Sequence, residues 1–398
     1  CSFHPELVSE SASRAASDAS AERLKATSYP MIDVSRDPRW GRMLESFGED
    51  PYVNGVMGEA MVDGYQQKND EGIAACLKHF AGYGAVNAGR EYNDVEISQR
   101  TFLEQYVKPF RMALKAKPAM VMTAFNAIDR KPISGNKELL RELLRDKEGF
   151  DGTVISDWGS IGQLEEQGVA ADMDEAAVQA IEAGVDIDMM SPAYMFRLEE
   201  LVKNGQIPES FIDESAFRVL MMKNQLGLFE NPFAGLGKSG KLTLHNRTKA
   251  YQMASESCVL LKNEEILPLC QKQKVIWAGP YVTSKEFLSR WAIFGEHEPV
   301  ETIEAILQDK KMNVECIPGC RMLSEEECKI WQVEQDDSDE EMDEQWLETI
   351  TREDTVVCVL GEHESQSGEA ASRAFLTLPE EQQMLFEKIA KRTDNIVT

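Results

Sequence analysis

The stretch that decides the reading is "TVISDWGS", Thr153 to Ser160. Thr153, Val154 and Ile155 have the β-branched, apolar character of a buried strand. Asp157 follows where the apolar run stops, beside Trp158 and Gly159. An acid at the end of a core strand, next to a large aromatic ring, marks either a turn cap or a working carboxylate.

Four other runs share this character: Thr27–Asp33 "TSYPMID", Ile73–His79 "IAACLKH", Ala119–Phe125 "AMVMTAF" and Val185–Met190 "VDIDMM". Helical segments separate them, among them "QRTFLEQYVKPFRMALKA", for which Ser98 is the expected N-cap. Near-continuously apolar strands alternating with helices predict a parallel sheet covered by helices, in a (β/α) barrel or a doubly wound fold. In both, functional groups sit at the carboxyl ends of the strands. Asp157, Asp33, Lys78, His79 and Phe125 all lie at such ends.

Past Phe229 the pattern changes. "AGLGKSGK", Ala234 to Lys241, reads as a linker. A second α/β region follows, with strands expected in "SCVLLKNEEILPL", in "KVIWAGPYV" and in "DTVVCVLGEHESQSGEAASR", and another at the closing "NIVT". The acidic run Glu334–Glu344 reads as a solvated loop with no catalytic role. The expected layout is a barrel domain over 1–229, a linker over 230–250 and an α/β domain over 251–398.

With 398 residues, 42% hydrophobic and 28% charged, the chain is long enough for more than one packed core. Its net charge of -27 argues against nucleic acid and against docking on anionic membranes. No apolar run reaches the roughly 18 residues of a membrane span. The 8 cysteines are scattered, and "CIPGC", Cys316 to Cys320, lacks the second ligand pair of a zinc site. Free thiols in a reducing, cytoplasmic setting are the expectation.

Arg42 in "RDPRWGRMLESFGED", Lys78 and His79 in "LKHFAGYG", and Asp157 in "SDWG" make a cationic, hydrogen-bonding rim around one acid. Such a site suits a sugar, whose hydroxyls take paired hydrogen bonds and whose C–H face stacks on an indole such as Trp158. Glycoside cleavage needs a second carboxyl group. Glu369 in "SQSGEAASR" is the candidate, with Glu362 in "GEHE" as its rival.

Taken in order, "PMIDVSRDPRWGR…ESFGEDP", "KHFAGYGAVNAGREYN", "VISDWG", "LLKNEEILPL" and "GEHESQSGEAASR" resemble family 3 glycoside hydrolases of the β-glucosidase type, over nearly the whole chain. The resemblance implies an N-terminal (β/α)8 TIM-type barrel followed by an α/β sandwich domain. It implies a retaining, exo-acting hydrolase for terminal β-linked glucose or a related sugar, with no metal or organic cofactor. Asp157 would be the nucleophile and Glu369 the general acid/base. Arg42, Lys78 and His79 match positions that hold the sugar in the −1 subsite, and Arg90 and Trp158 fall among the binding residues. Phe125 stands where many members carry a tyrosine. The "SGEAASR" loop separates the chain from the family's β-N-acetylglucosaminidase branch. Against the family pattern, the first barrel strands, an upstream sugar-gripping aspartate and the last part of the second domain are expected to be missing, so both domains would be incomplete. The implied partner is an oligosaccharide or an aryl or alkyl β-glycoside, and a homo-oligomer is compatible with it.

Several alternatives stand beside this reading. Asp157 could cap the following turn, Arg42 could pair with Glu45 or Glu49, and Trp158 could be core. The chain could be a non-catalytic sugar-binding remnant, or a β-xylosidase. Lys78 could form a Schiff base as in aldolases, which requires an apolar pocket that His79 and Arg90 do not provide.

Overall fold

A computed structural model describes residues 2–67, 71–237, 244–269, 273–288, 291–292, 300–334 and 344–398. Most of the acidic run, and the linker from Lys238 to Lys241, lie outside the described residues. The chain divides into two compact units, Cys1–Val259 and Leu260–Thr398.

In the first unit, strands β1 (Cys76–Phe80), β2 (Met120–Thr123) and β3 (Thr153–Ile155) form a parallel sheet in that order. The two outer expected strands pair with it in parallel, through the bridges Ala26 with Ala74, Met31 with Lys78, and Ile187 with Ile155, and through backbone bonds such as Cys76 N–H to the Tyr29 carbonyl and Ser156 N–H to the Ile187 carbonyl, both at 2.9 Å. Thr27–Asp33, β1, β2, β3 and Val185–Met190 therefore lie side by side in sequence order. The outer pairings are interrupted for local reasons. Pro30 has no N–H to give, and the Asp186 carboxylate accepts the Val154 N–H at 2.8 Å.

The sheet is buried on both faces, as parallel sheets are. Leu77, Val121 and Val154 pack outward with Phe110, Leu140, Leu144 and Ile181 of the surrounding helices. Cys76, Met120 and Met122 point the other way, to a second cluster with Ile155, Ile187 and Met189. The helices start where the sequence provides caps. Ser98 Oγ accepts from Thr101 N at 3.1 Å, as expected. Asp50 accepts from Tyr52 N at 2.6 Å at the head of the helix Pro51–Tyr65.

The second unit holds β4 (Val275–Ala278), β5 (Val314–Ile317), β6 (Thr355–Cys358) and β7 (Ile396–Val397), all parallel, in the order β5-β4-β6-β7. Ile276, Ala278, Val356 and Cys358 pack with Leu347, Leu385 and Ile389 in its core. Gly279 closes β4 at φ +123, and a Cβ there would come 2.3 Å from the Val359 carbonyl oxygen. Only glycine fits this contact. The strand expected in "SCVLLKN" is not formed: Val259, Leu260 and Leu261 are exposed and find no strand to pair with among the described residues. The edge strand β5 escaped the sequence reading, because its half-buried, mixed residues carry no clear period.

Candidate active site

Asp157 is buried just past the end of β3. Its Oδ1 accepts the Trp158 N–H at 2.7 Å, and its Oδ2 lies 3.4 Å from His79 Nε2. Asp157 therefore does steady its own turn, but no regular helix begins there; the next one starts at Gln163. Trp158 is 62% exposed, which rules out a core role and leaves the indole open at the rim.

Lys78 and His79 come from β1, whose pairing with β2 shifts register between Leu77 and Phe80. In a regular strand, neighbouring side chains face opposite ways; an irregularity of this kind re-aims them. Both residues are buried. His79 Nδ1 lies 2.8 Å from Asp33 Oδ2, and the same oxygen accepts the His79 backbone N–H at 2.9 Å. Burial first, then the Arg42 and Lys78 charges, hold the His79 imidazole well below its ordinary pKa. It is neutral at pH 7. Burial also pushes the Asp33 carboxyl up to about 7, against the His79 N–H and the nearby cations.

Arg42 is buried in the short turn after Trp40. Its Nε and one terminal nitrogen donate to the two Glu45 oxygens at 2.8 and 3.0 Å. The pairing weighed from sequence is thus present, and it is bidentate and buried. Lys78 Nζ sits 4.0 Å from Glu45 Oε2, so one carboxylate serves two cations. Burial lowers the Lys78 pKa, Arg42 lowers it further, and Glu45 and Asp157 oppose both. His79 and Arg90 were expected not to supply the apolar pocket that would lower this lysine; burial lowers it without them. The Tyr83 ring lies edge-on to His79 at 5.3 Å, with the Arg42 guanidinium 5.6 Å from its centre. Glu91 accepts from both Trp40 Nε1 and Tyr83 Oη and so ties this wall to the loop after β1.

Asp157, His79, Lys78 and Arg42 thus form one buried constellation. Phe125 is buried beside it, its ring 5.9 Å from that of Tyr83 and 5.1 Å from that of Tyr92. Arg90 is exposed and bound within its own loop, to the Asn87 carbonyl at 3.1 Å and Asn93 Oδ1 at 3.3 Å. Asp33, Glu45, Tyr83 and Glu91 were not picked out as site residues. Asp33 was visible as a strand-end acid, and Glu45 as a neighbour of Arg42. No spacing in the sequence signals Tyr83 or Glu91.

Glu369 is half-buried in the loop after β6. In the strand order β5-β4-β6-β7 the chain reverses direction at β4, and ligands of such sheets bind in the crevice at the strands' carboxyl ends. The loop's path is fixed by Gln382, whose side chain bonds both the N–H and the carbonyl of Gly361 at 2.9 and 3.0 Å. Gly368 and Ala370, on either side of Glu369, both have positive φ. The rival Glu362 is engaged: its carboxylate accepts from Arg373, and its backbone carbonyl from Tyr281 Oη. Among the described residues, no group of three or more His, Cys, Asp or Glu side chains is placed to hold a metal ion.

A parallel helix-covered sheet with a carboxylate, two cations and a neutral imidazole gathered at its strand ends, followed by a doubly wound domain, defines an α/β protein. Residues 1–222 match the glycosyl hydrolase family 3 N terminal domain and residues 258–398 the glycosyl hydrolase family 3 C-terminal domain. The chain belongs to glycosyl hydrolase family 3. It is 35% identical to a periplasmic beta-glucosidase of Salmonella typhimurium, over 96% of this chain and 53% of that one. It is 39% identical to a putative beta-xylosidase of Formosa agariphila, over 71% of this chain and 39% of that one. The solved beta-glucosidase of Listeria innocua in complex with glucose superposes with a TM-score of 0.87 at 39% identity, covering 98% of this chain and 53% of that one. The chain thus spans about half the length, or less, of these relatives.

Proposed function

We propose that the protein is a retaining, exo-acting glycoside hydrolase that releases terminal β-linked glucose or a related sugar. The observation that carries this reading is the buried Asp157 carboxylate, 3.4 Å from a neutral imidazole and close to the buried cations Arg42 and Lys78. Nearby positive charge favours the ionised carboxylate that a nucleophile must be. Asp157 attacks the anomeric carbon while Glu369 protonates the departing oxygen. Glu369 then activates the water that hydrolyses the glycosyl-enzyme. Lys78, His79 and Arg42 bind sugar hydroxyls, Trp158 offers a stacking face at the rim, and Arg90 and Phe125 complete the binding wall. Residues 1–229 carry the nucleophile, 230–250 the linker, and 251–398 the acid/base.

The Salmonella and Listeria relatives support glucose, and the Formosa relative supports xylose as the second reading. For location, six described cysteines are free, which supports a cytoplasmic protein, whereas the name of the Salmonella relative supports an exported one; cell fractionation separates them. No described helix is long and apolar enough to cross a membrane.

The test is covalent trapping in the whole protein. A 2-deoxy-2-fluoro-β-glucoside with a good leaving group, and its xyloside counterpart, should label the peptide containing "SDWG", the faster reagent naming the sugar. Label on another peptide would refute the nucleophile. Absence of label, together with absence of hydrolysis of 4-nitrophenyl glycosides, would leave a sugar-binding protein.

A further inference from the structure

We infer that Asp33 is a positioning residue that fixes His79 in the tautomer with its proton on Nδ1, so that Nε2 presents a bare acceptor beside Asp157. The inference deepens the site proposed above and rests on it for the role of the sugar.

Asp33 Oδ2 accepts the His79 main-chain N–H at 2.9 Å, and a main-chain N–H can only donate. The hydroxyl oxygen of a carboxylic acid is a far poorer acceptor than a carboxylate or carbonyl oxygen, so this bond is made by an Oδ2 that bears no proton. The same Oδ2 lies 2.8 Å from His79 Nδ1, a hydrogen-bond distance. Two acceptors cannot share such a contact, so Nδ1 carries the proton. The imidazole is buried, and the neighbouring cations Arg42 and Lys78 disfavour a second proton. Nε2 is left with its lone pair.

That lone pair has no hydrogen-bond partner among the described residues. It faces Asp157 Oδ2 at 3.4 Å, acceptor towards acceptor. A buried acceptor left unbonded costs about 1–3 kcal/mol, and a ligand hydroxyl donating to Nε2 removes that cost. The opposite tautomer would behave differently. An Nε2–H would donate to Asp157, occupy the nucleophile's oxygen and turn the ring into a donor. Asp33 thus keeps one oxygen of Asp157 clear of its neighbouring imidazole and makes His79 select for a hydroxyl hydrogen.

The test is spectroscopic and does not require turnover. In protein labelled with ¹⁵N in the imidazoles, the His79 signals, assigned by their loss in His79→Gln, should show a protonated Nδ1 and an unprotonated Nε2. Adding glucose should move the Nε2 resonance and leave Nδ1 in place. In Asp33→Ala the acceptor for the Nδ1 proton is gone, so an Nε2–H should appear, and kcat should fall roughly 10- to 100-fold, the range for loss of a group that orients a histidine; in Asp33→Asn the amide oxygen accepts from both the main-chain N–H and Nδ1–H, so the Nδ1 proton should stay. A protonated Nε2 in the unsubstituted protein overturns the inference, whatever the variant does. So does an Asp33→Ala protein that keeps the Nδ1 proton, or one that loses it with kcat within twofold. If the protein hydrolyses no glycoside, the function proposed above fails, while the spectrum still decides the tautomer.

Discussion

Replacing Glu45 with glutamine removes one negative charge and barely changes shape. The structure makes this a severe change. Glu45 gives both oxygens to Arg42, at 2.8 and 3.0 Å, and one of them lies 4.0 Å from Lys78 Nζ. The Arg42 and Glu45 side chains are 1% and 5% exposed, so water cannot replace the lost carboxylate. Breaking a buried ion pair from one side costs about 3–5 kcal/mol, because the remaining charge stays buried without compensation. For a unit of this size each kcal/mol moves the melting point by about 2–4 °C, so the first unit should melt roughly 6 to 20 °C lower. Calorimetry of Glu45→Gln beside the unsubstituted protein measures this. The double variant Arg42→Met/Glu45→Met, which removes both charges of the pair, should recover part of the loss. A Glu45→Gln melting point within 1–2 °C of the original, about half a kcal/mol, would refute the claim that Glu45 compensates the site's cations.

Three further outcomes are expected. Glu369→Gln should slow hydrolysis of substrates with poor leaving groups by about 10²–10⁴-fold, the usual worth of a general acid, with azide rescuing good leaving groups, whereas Glu362→Gln should stay within a few-fold because that carboxylate is engaged with Arg373; the reverse pattern would name Glu362. Burial raises the Asp33 pKa from 3.8 to about 7, so its contribution to stability is greatest below about pH 4 and falls by about 4 kcal/mol as pH rises to 7. Urea unfolding should show Asp33→Asn gaining on the unsubstituted protein across that window, with the opposing contribution of His79 common to both; parallel curves would show that Asp33 is not desolvated. At pH 8 a disulfide-exchange reagent should modify exposed Cys258 in the folded protein, while Cys76, Cys320 and Cys358, whose thiols burial pushes up to about 12, react only on unfolding.

The first unit was largely legible because its sheet is buried on both faces. Such strands must be apolar throughout, and a polar residue at the end of one then stands out. Asp157, Lys78, His79 and Asp33 were each visible as an interruption of an apolar run. What the sequence could not show is which groups hold one another. That Glu45 serves both Arg42 and Lys78 depends on how the Gly41–Glu45 turn lies against the end of β1, and contacts between distant segments leave no period to read. The same holds for Glu91, which joins Trp40 and Tyr83 across 51 and 8 positions of sequence.

In the second unit, legibility failed where burial is partial. β5 is an edge strand with every residue half-buried, so neither alternation nor a continuous apolar run marks it. "CVLL" shows the converse error: its composition is that of a strand, yet Val259, Leu260 and Leu261 are exposed. Strand propensity describes how a side chain fits a pleated, packed surface and does not create the neighbour it needs. The two glutamates of the loop after β6 make the point for chemistry. Glu362 and Glu369 have similar local sequence and the same charge, and composition cannot rank them. For Glu362 the structure adds a contact: Arg373, its side chain 10% exposed, lies against it. A carboxylate already tied to a buried guanidinium is poorly placed to meet a glycosidic oxygen, so the contact weakens the case for Glu362 without itself establishing Glu369. The assignment of the acid/base therefore rests on the family resemblance of "SGEAASR", and the paired glutamine variants are the measurement on which it stands or falls.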